Sequence, residues 1–236
     1  MQVIRFLSDM SDRAIVDPVG ARRSRFRWKP QIREGNDAAL CDRRQTIASL
    51  FIVVLLGIAY QEMLSPVRDE IRSKGFSISI VFFVLTFFCI SMRFFIGNQL
   101  HLMCEGVKTL RGDIWLRDFF IIIIEAIFIC FLGGVSAPAI NEHIPVNFYH
   151  LIVIICGIDV AWVLLQWMSG MAWTRWKADF IPWSWAVLNT IVAALTLLIY
   201  WRAKDPFGSG PAVAVFAVNL AAFFVDIVLI DYQDLI

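Results

Sequence analysis

Along this chain, apolar stretches of transmembrane length alternate with shorter polar ones. Six stand out: residues 46–64, 76–96, 119–137, 148–168, 180–201 and 211–230. Crossing the hydrocarbon of a bilayer as a helix takes about 20 mostly apolar residues, and each stretch meets that length. Strict period-2 alternation is missing and the runs are too long for barrel strands, so helices are expected throughout. Proline falls where helices should be punctuated. Pro18, Pro30, Pro66, Pro138, Pro145, Pro206 and Pro211 sit at edges or in connections, and Pro182 sits in the first turn of the fifth run.

Polar residues inside the runs are few and regularly spaced. The second run carries Ser79, Thr86 and Arg93, with Gly97 and His101 continuing the line. Residues seven apart share a helix face. The third run has Asp118 and Glu125, and the fourth Cys156, Asp159, Gln166 and Ser169. The fifth has Asn189, Ala193 and Thr196, and the sixth Ala212, Val215, Asn219, Ala222 and Asp226. The first is weaker, with Thr46, Ser49 and Tyr60. Lipid tails satisfy none of these groups, so each stripe is expected to face protein or water.

An ionisable side chain at a helix centre costs about 2.5–3.5 kcal/mol on insertion scales, which makes Arg93, Glu125, Asp159 and Asp226 the informative positions. Counting about 1.5 Å per residue places all four at similar depth, in the cytoplasmic half of the membrane. An intramembrane polar network of Arg93, Glu125, Asp159, Asp226, Asn219, Gln166 and Asn189 is expected, with Arg93 paired to Glu125 or Asp226. The competing reading of Arg93 is a side chain snorkelling to the headgroups.

Composition agrees with a polytopic membrane protein: 59% of the 236 residues are hydrophobic and 17% charged, against roughly half and a quarter in soluble domains. Net charge is +1, so the distribution of charge matters more than its total. Ten Lys or Arg residues precede the first run, three lie between runs two and three, and two between four and five. The opposite side has five, Arg68, Arg72, Lys74, Arg202 and Lys204. Basic residues favour the cytoplasmic side, so both termini are expected there. Without the N-terminal segment the two sides balance, so that segment carries the assignment. Trp115, Trp173, Trp176, Trp183, Trp185, Tyr200 and Trp201 lie near run ends, as interfacial belt residues do.

The N-terminal run "ARRSRFRWKP" contains Arg22, Arg23, Arg25, Arg27, Trp28 and Lys29. Anionic lipid attracts such segments by about 1 kcal/mol per basic residue, so headgroups are the expected partner. Nucleic acid is not, because no fold or stacking platform accompanies the charge. Met1 to Met10 is too short and too charged for the core of a signal peptide.

Other chemistry finds little support. The five cysteines contain no Cys-x-x-Cys pair, and Cys89, Cys130 and Cys156 lie inside apolar runs, as buried thiols do. His101, His143 and His150 lie away from mid-membrane, so neither a histidine base for Ser169 or Ser209 nor a haem-binding pair is available. Glu142, His143 and His150 fall short of converging metal ligands. Neither a cofactor nor a metal is expected, and enzymatic activity is not favoured. Six short helices with both termini inside resembles, in layout, a small tetrameric potassium-channel family whose first helix opens Arg-x-x-x-Phe-Ser-Asp. Here Arg44 is followed by "QTIASLF", which lacks the Phe and the Asp, so no residue role carries over.

The expectation is an all-α, multi-pass protein of the cell membrane. Residues 1–45 form a basic cytoplasmic segment, with a short amphipathic helix at its start, and 46–236 a bundle of six transmembrane helices. The leading function is passage of a small cation or proton past the intramembrane acids, as a homo-oligomer or within a membrane complex. The alternative is a non-transporting accessory subunit, or an effector controlled through the N-terminal segment.

Overall fold

The computed structural model describes residues 34–106, 112–141, 144–168 and 176–233, and within them the side chains of 46–98, 117–138, 140–141, 144–165 and 183–228. The basic run Arg22, Arg23, Arg25, Arg27, Trp28 and Lys29 and the side chain of Gln166 lie outside these residues. The described residues form seven helices and no strand: α1 Glu34–Lys74, α2 Ile78–Gly106, α3 Gly112–Gly134, the single turn α4 Pro138–Asn141, α5 Phe148–Met168, α6 Trp176–Arg202 and α7 Ser209–Gln233.

Among the described residues, five stretches are long and apolar enough to cross a membrane: Thr46–Lys74, Ile78–Asn98, Phe148–Leu165, Trp183–Arg202 and Ser209–Val228. The expected third span falls in α3. Its described side chains start with Arg117 and Asp118 and include Glu125, and this charge separates α3 from the other five.

Helix boundaries correct three expectations. Pro66 was expected to end the first helix and instead lies inside α1, which continues to Lys74. A proline removes one i→i−4 hydrogen bond, here to Glu62, an exposed residue whose neighbourhood can accept another donor. Pro182 was expected in a first turn, but α6 begins at Trp176, so the proline lies further inside. The second helix runs to Gly106, well past the apolar run that ends at Ile96.

The six long helices divide into a ring of five and one outlier. α2 packs on α3, α3 on α5, α5 on α6, α6 on α7, and α7 back on α2. Contacts along each seam give direction. Phe82 meets Phe216 and Arg93 meets Asp226, so α2 and α7 run parallel. His150 meets Tyr200 and Asp159 meets Asn189, so α5 and α6 are antiparallel. Five alternating helices leave the first and last parallel, and that seam closes the ring.

α1 lies outside the ring against α2 and α3. It buries a stripe of Ala48, Ile52, Leu56, Ala59 and Met63, while Ile47, Leu50, Val53, Val54, Ile58 and Leu64 are exposed. The closest approach is at Gly133 of α3, where a Cβ would come within 2.5 Å of the Ala59 carbonyl oxygen. Small residues let helix backbones meet in this way. Cys130 Sγ lies 3.7 Å from the Leu55 carbonyl oxygen on the same seam, and Tyr60 packs edge-on against Phe87.

One end of the bundle is held by local polar caps. The Ile80 N–H donates to Ser77 Oγ at 3.3 Å and fixes the start of α2. Asn147 caps α5 by accepting from the Tyr149 and His150 N–H groups at 3.1 and 3.2 Å. Gly75, with φ of 85°, ends α1 in the left-handed conformation that glycine adopts without strain. Asn141 donates to the Val135 and Ala137 carbonyls and accepts from the Phe148 N–H, tying the α3–α5 connection together. This is called the capped end below.

Candidate functional site: a polar centre shared by five helices

The ring encloses a chain of polar side chains to which every one of its helices contributes. Arg93 of α2 donates from Nε to Asp226 Oδ2 of α7 at 2.5 Å and from Nη2 to Asn189 Oδ1 of α6 at 2.9 Å. Asn189 passes the connection on: its Nδ2 donates to Asp159 Oδ2 of α5 at 2.7 Å. The Asp159 and Glu125 carboxyls lie side by side within hydrogen-bonding reach, which brings in α3. Asn98 of α2 closes the line, donating from Nδ2 to the Phe94 carbonyl at 3.0 Å and to Glu125 Oε2 at 3.4 Å. The amide of Asn189 is oriented by its two neighbours, because only its oxygen can receive from a guanidinium and only its nitrogen can give to a carboxylate.

These groups are deeply buried. Arg93 retains 10% of its side-chain surface and Asp226 4%. Asn98, Glu125 and Asn189 are buried as well. Unpaired charges in such a place would be prohibitively costly, whereas a paired and hydrogen-bonded set is tolerable. Arg93 therefore reaches into the protein and meets Asp226, not the headgroups.

The chain borders a cavity of about 30 Å³, measured as the space open to the centre of a water molecule. At roughly 10–15 Å³ per water, that is room for two or three. Its lining includes Arg93, Asn98, Glu125, Asp159, Asn189 and Asp226, together with Trp162 and Trp185. Asp226 Oδ1 is buried and meets no donor in full hydrogen-bond geometry, although the Trp185 indole lies beside the carboxylate.

Two further polar layers flank this centre, each about 10 Å away by two turns of helix. Away from the capped end, Asp118 on α3 accepts from Trp162 Nε1 at 3.2 Å and from Arg117 Nη2 at 3.0 Å. Arg117 keeps 29% of its side-chain surface. Toward the capped end lie Thr86, Thr196 and Asn219, seven residues from Arg93, Asn189 and Asp226 respectively, and all three are buried.

Of the residues expected in the network, Arg93, Glu125, Asp159, Asn189 and Asp226 meet in one place, and Asn219 lies in the flanking layer. Three lining residues escaped the sequence reading. Trp185 was assigned to an interfacial belt and instead faces the centre, one helical turn from Asn189. Trp162 follows Asp159 at the same helical spacing, and Asn98 lies just beyond an apolar run. Gly97, which continues the Arg93 line in the sequence, lies against Trp185: a Cβ there would collide with the Trp185 ring. The three described cysteines, Cys89, Cys130 and Cys156, are free thiols.

Comparison with protein-family models, with curated proteins and with solved structures finds no match to this chain.

Proposed function

We propose that this protein moves protons or small cations across a membrane through the polar centre of its helical ring. The observation that carries this reading is the convergence of at least one polar side chain from each of the five ring helices on a cavity of water size, with a buried acceptor, Asp226 Oδ1, that no donor meets in full hydrogen-bond geometry. Ionisable groups inside membranes recurrently mark ion pathways and proton relays. A cavity for two or three waters suits a proton or a small ion and excludes an organic solute. In this reading α3 is a sixth span, both termini are cytoplasmic, and the basic N-terminal run rests on anionic headgroups. The working unit is a homo-oligomer.

The competing reading is an accessory subunit that carries nothing. The continuity of the hydrogen-bonded chain across five helices favours it, since a buried polar network also rigidifies a core.

Reconstitution decides between the two. Proteoliposomes containing the full chain should show flux of protons or of Na⁺ or K⁺. Glu125→Gln, Asp159→Asn and Asp226→Asn should each reduce it by about tenfold or more, as expected when a charged group on the path is lost. A wild-type protein that passes none of these cations leaves the accessory reading standing.

A further inference from the structure

The same ring carries information about which ion moves and where it goes. Among the described residues, six buried polar atoms have no hydrogen-bond partner: Tyr60 Oη, Ser91 Oγ, His150 Nδ1, Thr196 Oγ1, Asn219 Oδ1 and Asp226 Oδ1. Tyr60 and Ser91 face each other between α1 and α2. The other four belong to ring helices and can be ordered by helical spacing toward the capped end. Asp226 lies at the centre, and Asn219 is two turns nearer the capped end on the same face of α7. Thr196 is at the matching position on α6, two turns from Asn189. Tyr200 follows Thr196 by one turn, and its ring lies 5.1 Å from that of His150. Unsatisfied buried polar atoms are rare in native proteins and call for water or a function.

Between this layer and the capped end, aromatic rings pack together. Phe83 packs on Phe148 at 4.6 Å and on Tyr149 at 5.9 Å. Tyr149 packs on Tyr200 at 5.4 Å and on Phe207 at 5.9 Å. The Tyr149 hydroxyl is tied to the Pro206 carbonyl. A hydrated metal cation has no way through such a cluster, whereas a proton needs only successive hydrogen-bonding groups.

The centre itself favours a proton. Arg93 already supplies the site with a cation. The adjoining Glu125 and Asp159 carboxyls can hydrogen-bond to each other only by holding a proton between them, since two carboxylates offer acceptors alone.

We propose that the bundle conducts protons selectively, and that they pass between the Glu125–Asp159 pair and the capped end along water held by Asp226, Asn219 and Thr196, with Tyr200 and His150 at the exit. Asn219 positions water, while the Thr196 hydroxyl both gives and accepts. Each hop breaks one O–H bond and forms the next, so one proton leaves for each that arrives, and the chain resets when each water and the Thr196 hydroxyl turn back to their starting orientation. This inference rests on the transport reading above and narrows it to one ion and one route.

The test uses the full chain in proteoliposomes with a trapped pH dye, alongside Na⁺ and K⁺ flux. Thr196→Val and Asn219→Leu should each cut proton flux about tenfold, the loss of one hydrogen-bonded step, while Thr196→Ser should retain it. Thermal unfolding separates that loss from misfolding. Unchanged proton flux in folded Thr196→Val and Asn219→Leu overturns the route. Flux of Na⁺ or K⁺ without protons overturns the inference and leaves the transport reading intact, whereas no flux of any cation removes both. Independently of flux, the Asn219 side-chain amide in nanodiscs should exchange its hydrogens with D₂O within hours. Protection for days would show a dry layer and overturn the route.

Discussion

α1 and the five ring helices are made of the same apolar residues but use their buried faces differently. From Ala48 to Met63, where α1 crosses the apolar layer, its buried stripe is Ala48, Ile52, Leu56, Ala59 and Met63, without a charge among them; the buried Glu70 lies two turns further on, near the capped end. Each ring helix instead buries an ionisable or amide side chain: Arg93, Glu125, Asp159, Asn189 and Asp226. If polar groups were here to bind helices together, α1 should carry them too. It is held by close backbone approach at Gly133 and by aromatic contacts of Phe51 and Tyr60. Cohesion in this protein therefore does not require buried charge, which directs attention to what the charge in the ring does.

The largest effect should come from breaking the ring's ion pair. Arg93→Leu leaves Asp226 buried without its cation, and losing one partner of a buried pair costs about 3–5 kcal/mol. Thermal unfolding in detergent and in nanodiscs should show this loss. Adding Asp226→Asn should recover part of it, because the orphaned charge is gone. Lys at position 93 should be a poor substitute, since an ammonium cannot span Asp226 and Asn189 with one fixed fork. Coupling between positions 93 and 226 below about 0.5 kcal/mol would show that the contact is not energetically real.

The next effect attacks α1 instead. Gly133→Val places two methyl groups where a Cβ alone would come within 2.5 Å of the Ala59 oxygen and 3.3 Å of the Met63 nitrogen. Both neighbours are backbone and cannot turn aside, so the seam must open. Overpacking of this kind costs about 1–3 kcal/mol. The contrast lies in transport: the variant should be less stable yet, where folded, keep the flux of the parent. Loss of flux at unchanged stability would mean that α1 takes part in the pathway.

How far the sequence predicts this arrangement depends on the physical quantity involved. Seven-residue spacing identifies inward faces, because burial of polar groups away from lipid is strong enough to orient a helix. Thr86 with Arg93, Asp118 with Glu125, Thr196 with Asn189 and Asn219 with Asp226 all follow that rule, and of these eight residues all but Arg93 fall below a tenth exposed. Spacing says nothing about which face meets which, so Arg93 remained open between Glu125 and Asp226. The ring order, with α7 returning to α2, arises from packing between helices distant in sequence. Trp185 misled because an indole suits an interface and a polar pocket equally well: its ring is apolar and its N–H needs a partner in either place. Pro66 misled because a single missing hydrogen bond at an exposed turn is too weak to stop a helix supported on both sides.

The smallest effect is the sharpest check on the comparison. Tyr60 of α1 turns a hydroxyl toward the ring, where it faces Ser91 without meeting hydrogen-bond geometry. Its ring, by contrast, packs at 5.3 Å on Phe87 and 6.5 Å on Phe88. Tyr60→Phe keeps those ring contacts and removes a hydroxyl that gains little where it is. Replacing an unsatisfied polar group by an apolar one of the same shape is close to neutral or stabilising, so the change in unfolding free energy should stay within about 0.5 kcal/mol. Ser91→Ala should be similarly mild, and the double variant should show no coupling beyond about 0.3–0.5 kcal/mol. Proton flux should match the parent in all three. Asn219→Leu, which also removes an unpaired buried oxygen, should differ by losing flux. If Tyr60→Phe instead lowers flux as Asn219→Leu does, the polar path extends through α1 and the division between ring and outlier fails.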